Sequence, residues 1–470
     1  MTVSFFEKER QRERIAENLV EFGERGADLN WVSGVRAQTA EAERARLLGV
    51  VGDAVTMTHR QSKPHLGPLS PGCRICGEGA WSCLFINGSC NCRCFYCPTA
   101  QDDISVPTTN RIPFDEASDY ADYVRHFGFT GASISGGEPL MTLGRSLRYI
   151  RTLRHRLGPG LHIWLYTNGT LLTAETVSRL KDAGLDEIRF DISAAAYSLK
   201  PIGLAAGRIP VVTVEIPAIP EDSESLIKLL PALRDAGVDH LNLHQLRITP
   251  HNSANLAARP YTFLHGERVT VLESELTALK LLAAAAVQNI GPPINYCSFV
   301  YKYRCQRAAV RGRTAALICK GHEGITENGY IRQLALCGPA DQIRRQVDRL
   351  VTHGVDPALW SASGKVDRLA FHETQWPMVE DAGCTVTVSY SQAVLQAHVS
   401  YRCAFTEVRV GSGMKLFIEK QPVCMARVLG AEAQRLLKGL IRGCPEESGW
   451  AENETIAGYE CIYPGLQDYY

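Results

Sequence analysis

The chain reads as an α/β protein: a partial, open (βα)6 barrel of parallel strands, an N-terminal extension before it, and a C-terminal α+β domain after it. Two observations predict this. Through the middle of the chain, strand-like runs alternate with helical patterns at a spacing of roughly 25–30 residues, as parallel βαβ units require. From about Ala316 that alternation stops and shorter β runs follow. The expected boundaries are 1–70 for a helical extension and linker, 71–310 for the barrel with a cysteine-rich loop, and 311–470 for the last domain.

The elements follow in order. Residues 5–22 carry Phe5, Phe6, Ile15, Leu19 and Phe22 at helical spacing, so these are expected to face inward. Lys63 to Gly72 is rich in Pro and Gly and reads as a linker. Six strands are expected at Trp81–Asn87, Gly131–Ser135, His162–Thr167, Glu187–Ile192, Val211–Ile216 and His240–Leu246. Helices are expected at Asp115–Phe127, Leu143–Leu157, Ala174–Ala183 and Asp222–Ala236. A long helix then runs from His265 to Ile290, and the aromatic, basic segment Asn295–Cys305 is expected to close the barrel's open side. In the last domain, Tyr330–Leu336, Thr385–Tyr390, Glu407–Val410 and Lys415–Glu419 have β character.

Composition narrows the function. Lysine plus arginine total 50 and aspartate plus glutamate total 50, so no basic surplus invites nucleic acid. Met1 to Arg14 is crowded with charge and lacks an apolar export run. The alanine-rich stretch Leu281 to Val287 is too short to span a bilayer. Neither a nucleic acid nor a membrane is an expected partner, and a cytoplasmic location is. Seven of the sixteen cysteines fall between Cys73 and Cys97. Such clustering favours a reducing compartment with metal-bound thiolates over disulfides.

Within that cluster, Cys90, Cys94 and Cys97 form a C-x3-C-x2-C triplet. Three thiolates on one loop hold three irons of a [4Fe–4S] cluster and leave the fourth iron open. Cysteine-rich loops also make zinc sites. About forty residues on stands Ser133-Ile-Ser-Gly-Gly-Glu-Pro139. Gly136 and Gly137 let the backbone approach a ligand closely, and Glu138 offers an acceptor to an ammonium. In parallel barrels the chemistry gathers at the C-terminal ends of the strands. That rule brings Asn168, Asp191, Ser193, Glu215, Asn242, His244 and Gln245 to the same mouth. Each also has a plain structural use, such as a turn at Asn168 or a helix cap at Asp191. Upstream, Cys73-x2-Cys76 followed by glycine is a metal knuckle, which Cys83 and Cys92 would complete as a four-sulfur site for zinc or a single iron.

The triplet and the Gly-Gly-Glu-Pro turn together resemble the radical S-adenosylmethionine (SAM) superfamily. That resemblance implies that the open iron chelates SAM, that Gly136, Gly137 and Glu138 meet its methionine part, and that Tyr96 lies near adenine. Asn168 and Ser193 are expected to touch SAM or substrate. The strings CRICGEGAWSCLFING, CNCRCFYCPT, SISGGEPL, YTNGTLLT, AGLDEIRFDISA, VTVEIPAIPED and HLNLHQLRITP, within roughly residues 70–310, are similar to a narrower family. These are the methanogenesis-marker radical SAM methyltransferases, which C-methylate an arginine of methyl-coenzyme M reductase. The likeness implies a radical SAM cluster, a cysteine-bound mononuclear iron and a C-terminal domain that binds cobalamin. It also implies hydrogen abstraction from an sp3 carbon, methyl transfer from cobalamin, and an electron donor such as a ferredoxin or flavodoxin. Asp191 and Glu215 are then expected to pair with the substrate guanidinium. One departure is visible: the chain has no Asp-x-His-x-x-Gly motif, so cobalamin rests on the likeness alone. Two other readings stand beside it. One is a radical SAM peptide maturase with auxiliary clusters on Cys297, Cys305, Cys319, Cys337, Cys384, Cys403, Cys424, Cys444 and Cys461, which are scattered without a C-x2-C. The other is a non-catalytic metal-binding scaffold.

Overall fold

The structure is a computed structural model in which residues 5–102, 104–380, 383–411, 413–441 and 458–470 are described, the side chains of residues 5–10 excepted. It is a mixed α/β protein. The chain divides into two compact units, one of Glu7–Gln306 with Pro464–Tyr470, the other running from Arg307 to Tyr463.

The first unit is built on parallel strands β1 (Trp81–Asn87), β2 (Gly131–Gly136), β3 (His162–Thr167), β4 (Glu187–Phe190), β5 (Val211–Pro217) and β6 (His240–His244). They lie side by side in chain order, all parallel. Helices α1 (Ala117–His126), α2 (Leu143–Leu157), α3 (Ala174–Ala183) and α4 (Ser223–Asp235) return the chain between them. Local chemistry sets the helix ends. The Thr173 hydroxyl caps α3 by accepting from the Thr176 amide, and Gly184 closes it with φ of 92°. Ile134, Ile163, Leu165, Ile188, Val214 and Leu243 are fully buried between sheet and helices. Burying each such side chain is worth about 1.5–3 kcal/mol.

Three expectations are corrected here. A seventh parallel strand, β7 (Ile294–Cys297), extends the sheet beyond β6. The segment expected to cap the open side therefore begins inside it. Residues Lys63–Leu66 are no linker but a strand, antiparallel to both β7 and Val55–Thr58. The Lys63 side chain is buried, with its ammonium 3.8 Å from the Tyr301 ring centre, a tertiary contact that overrides a weak local β signal. The long helix α5 starts at Leu272 and ends at Gln288, because Thr270–Val271 pairs with Phe263–Leu264 instead of joining it.

The N-terminal extension packs within this unit. Helix Gly34–Val51 ties to α5 through Arg36–Glu273 (3.2 Å) and Arg44–Glu275 (3.3 Å). Phe22 and Leu29 join an apolar cluster with Leu246, Tyr261 and Phe263, against which Phe95 and Tyr96 of the cysteine loop pack. Leu19, expected inward, is exposed; Phe5 and Phe6 lie outside the described side chains.

The second unit centres on an antiparallel sheet. Strand β8 (Ile331–Cys337) pairs with β9 (Arg368–Phe371) and β10 (Thr385–Gln396). Strand β12 (Met414–Val428) joins β10 to β11 (Ala404–Val410). Its core holds Leu334, Leu336, Ile343, Val388, Tyr390 and Leu437. Among the described residues no helix is long and apolar enough to cross a membrane.

Candidate active site

The chain leaving β1 forms the cysteine loop, and the turn leaving β2 is sewn to its base. The amide of Gly137 donates to the Asn87 carbonyl at 3.0 Å, and that of Glu138 to the Ser89 carbonyl at 2.8 Å. The Asn87 side-chain amide returns a bond to the Glu138 carbonyl at 2.9 Å. The glycines are needed for this approach. A Cβ at Gly136 would sit 2.1 Å from the Asn87 carbonyl oxygen, and one at Gly137 only 2.0 Å from that of Ser89.

Loop and turn open onto one cavity of about 340 Å³ at the C-terminal ends of the strands, lined by Cys90, Cys94, Cys97, Gly136, Gly137 and Glu138 among others. Burial pushes the Cys90 thiol up and the Cys94 thiol to about 11. Protein burial alone disfavours these thiolates, and bound iron would supply the missing positive charge. The donor chemistry and the shared cavity fit an iron–sulfur cluster. Among the described residues no three Cys, His or carboxylate side chains converge into a closed metal cage.

Glu138 is placed differently from its expected role. Its carboxylate accepts from the Leu140 amide (2.9 Å), the Thr167 hydroxyl (2.8 Å) and the Asn168 amide (2.7 Å). It is a strut between the turn and the end of β3. Asn168 in turn donates to Asn91 at 2.8 Å and approaches Cys90 Sγ at 3.8 Å, which anchors the cysteine loop to β3. Tyr96 donates to Asp191 at 3.0 Å and lies 2.6 Å from the Ser193 hydroxyl; Ser193 also bonds Asp191. These three form one cluster, and burial raises the Asp191 carboxyl above its ordinary value.

Glu215 is likewise committed. It accepts from Arg189 at 2.6 Å, from Asn242 at 2.9 Å and from His244 Nε2 at 2.5 Å. Burial opposes its charge, yet Arg189 and His244 hold its carboxyl well below the usual range. The chain continues both ways. Lys302 Nζ lies 2.7 Å from His244 Nδ1, while Arg189 bonds Glu187 at 2.8 Å and Glu187 meets His162 at 2.9 Å. The expectation that Asp191 and Glu215 await a guanidinium is therefore corrected, because protein donors already occupy both. Sequence reasoning missed Arg189 and Lys302. Glu187-Ile-Arg189-Phe did carry a signal: two opposite charges at i and i+2 share one face of a buried strand.

The upstream cysteines divide. Cys73 is buried and accepts from Asn242 at 3.0 Å. Cys76 feels burial first and then Cys73 and Cys297, all of which push its thiol up. Cys297 lies at the end of β7, 3.9 Å from Lys63. Burial opposes its ionisation, but Lys63, Lys302 and His244 together pull it down to about 6. Tyr301 has Cys76, Cys297, Cys73 and Cys305 as electrostatic neighbours. Cys83 instead faces Ser133 and Ser135, and Cys92 lines the cavity beside Cys90. The expected Cys73/Cys76/Cys83/Cys92 set is not brought together. Strand β7, which the sequence concealed, places Cys297 as an electrostatic neighbour of Cys76 instead.

Residues 84–239 match the sequence profile of the Radical SAM superfamily. The chain carries a radical SAM domain. A relative, a candidate glycyl-radical enzyme activating enzyme of Methanocaldococcus jannaschii, is 27% identical over 301 residues, 61% of this chain and 79% of that one. Among solved structures, the radical SAM methyltransferase TsrM of Kitasatospora setae, with cobalamin and a [4Fe–4S] cluster bound, is 16% identical with a TM-score of 0.29; the match covers 43% of each chain. SuiB of Streptococcus suis is 15% identical with a TM-score of 0.32, covering 64% of this chain and 63% of that one. Both structural matches span less than two thirds of the known protein. The profile match begins within β1 and runs through β5, so the radical SAM domain contains both the cysteine loop and the Gly136–Glu138 turn.

Proposed function

We propose that this radical SAM enzyme is a C-methyltransferase acting on an sp3 carbon of an arginine in a protein, methyl-coenzyme M reductase by sequence likeness. One observation carries the SAM-dependent part: the Cys90/Cys94/Cys97 loop and the Gly136–Glu138 turn open onto one cavity. When bound, a cluster with SAM supplies a radical that takes hydrogen from an unactivated carbon, and cobalamin supplies a methyl group. The chain's own residues hold the geometry for this. Glu138 fixes the turn, Asn168 fixes the cysteine loop, and the Tyr96–Asp191–Ser193 cluster stiffens the wall beside it. A ferredoxin or flavodoxin would deliver the electron.

Cobalamin belongs to the second unit in this reading. The cavity described there, about 320 Å³, is lined by Glu373, Thr374, Trp376, Pro377, Lys438 and Ile441, without a histidine. The corrinoid therefore rests on the sequence likeness alone. Its test is the corrinoid and iron content of protein reconstituted without oxygen, followed by the mass of an arginine-bearing peptide. One equivalent of corrinoid with about five irons, and a peptide heavier by one methyl group, are expected from a four-iron cluster plus one further iron. No corrinoid with eight or more irons would instead mark the maturase with auxiliary clusters. Against that option, Cys424 is buried in the core of the second unit and Cys384 packs on it; Cys444 lies outside the described residues.

The second metal is proposed on Cys73, Cys76 and Cys297, with Cys305 nearby, as mononuclear iron or zinc. Cys297→Ser is expected to lose that metal and Cys83→Ser to keep it, read by elemental analysis of protein that retains the four-iron absorbance. Loss in both variants, or in neither, would sink the assignment. A second reading follows from the Methanocaldococcus jannaschii relative: activation of a glycyl radical enzyme. A glycyl radical signal in a partner protein, with no methylated peptide, would favour it.

A further inference from the structure

We infer that the protein segment acted on in this cavity carries an acidic side chain beside its target, and that its carboxylate seats between Arg247 and Lys302 along the ring of Phe299. The inference rests on the reading of this cavity as the active site for a protein substrate.

Six acidic or basic side chains line the cavity: Glu138, Asp191, Glu215, Arg189, Arg247 and Lys302. The three carboxylates are already answered. Glu138 accepts from two backbone amides and a hydroxyl, Asp191 from Tyr96 and Ser193, and Glu215 from Arg189, Asn242 and His244. Arg189 is answered twice, by Glu187 and Glu215. Arg247 and Lys302 remain. Among the described residues neither has a carboxylate within ion-pair distance: Arg247 meets the Tyr303 hydroxyl and feels Glu21 only as a further charge, and Lys302 lies against His244 and the Cys297 thiol.

These two cations share one patch of wall. The Arg247 guanidinium carbon lies 5.6 Å from the centre of the Phe299 ring, and Lys302 Nζ lies 4.9 Å from it. Both are half-buried. A partly desolvated cation with no carboxylate in contact is unfavourable, and burial, together with Arg268, lowers the Arg247 guanidinium from its ordinary value against the opposing influence of Tyr303 and Glu21. A substrate carboxylate relieves that cost when it binds, through charge-assisted hydrogen bonds to a planar fork and a point charge. The Phe299 ring, within 5.6 Å of both cations, offers an apolar surface to the stem of an aspartate or glutamate. The same patch would repel a substrate that is basic on both sides of its target.

The test uses full-length enzyme reconstituted without oxygen, with SAM present, and isothermal titration calorimetry. Arginine-centred and alanine-centred peptides are compared, each with glutamate or glutamine flanks, and glutarate is titrated against glutaramide. Glutamate-flanked peptides are expected to bind about tenfold more tightly than their glutamine counterparts, the value of one charged hydrogen bond. Arg247→Gln and Lys302→Gln should each erase most of that preference, and Arg247→Lys should restore part of it. Equal affinities for the two flanks together with no preference for glutarate overturn the inference. So does a preference that survives both glutamine variants, or a loss of SAM affinity larger than the loss of peptide affinity, which would assign the cations to SAM. Binding of glutarate but of no peptide supports the patch and sinks the protein-substrate reading. A glutamate preference with no methylated arginine sinks the arginine reading and leaves this inference standing.

Discussion

Gly137→Ala is expected to lower SAM cleavage by about a hundredfold, the cost of a displacement near 1 Å at a reacting centre. The added Cβ would lie 2.0 Å from the carbonyl oxygen of Ser89 and 2.4 Å from its carbonyl carbon. Real Cβ contacts essentially never fall below 3.0 Å. Both offending atoms are backbone, so no rotamer change relieves the clash. Either the turn leaves its bonds to Asn87 and Ser89, or the start of the cysteine loop moves away from the turn. Each outcome separates Cys90 from Asn168 and from the wall on which SAM is expected to rest. The measurement is release of 5′-deoxyadenosine by reconstituted protein, alongside the cluster absorbance. Gly144→Ala is the control, because a Cβ there meets nothing within 4 Å. It sits in the first turn of α2, where alanine suits the helix better than glycine. Wild-type cleavage by the Gly137→Ala protein would show that the turn does not set the position of the cysteine loop.

Much of this architecture was legible because parallel βαβ units write their period into the chain. All six expected strands appear within a few residues of their expected bounds, since they are β-rich runs flanked by turn residues and four of them are followed by an amphipathic helix. Strand β7 was hidden because Asn295-Tyr-Cys297 is short and is followed by aromatic and basic residues that look like a surface flap. Lys63–Leu66 was hidden because a lysine and a proline argue against a strand, and only the Tyr301 ring and Cys297 explain why that lysine is buried. The site divided along the same line. Residues tied to a motif, such as Cys90, Gly137 and Asn168, were visible from spacing. Partnerships that join different strands were not: Glu215 with Arg189 and His244, or Cys297 beside Cys76, are separated along the chain and carry no local pattern.

The largest effect on stability is expected from Glu215→Gln. Removing one member of a buried charge network costs about 3–5 kcal/mol when its partners stay charged. Here Arg189 keeps Glu187, but His244 loses its only carboxylate in an ion pair among the described residues. The side chains of Glu215 and Arg189 are 9% and 3% exposed, so water cannot easily replace the lost partner. The effect also has a direction in pH. Because Arg189 and His244 hold the Glu215 carboxyl well below 4.5 against the opposing effect of burial, its contribution is fully present above the unfolded value and is lost as pH falls through the folded one. Glu187 acts in the same sense: burial opposes its charge, yet Arg189 and His162 lower it from 4.5 to about 2. Urea denaturation at pH 7 should therefore separate wild type from Glu215→Gln by the full amount. The gap should narrow below about pH 4.5, where the unfolded wild-type carboxylate takes up its proton. A constant gap across that range would mean that the substitution acts through packing or lost hydrogen-bond geometry instead of charge. If the gap closes as expected, the Lys302–His244–Glu215–Arg189–Glu187 chain is an electrostatic spine that fixes one wall of the cavity, and the Arg247–Lys302 patch is oriented by it.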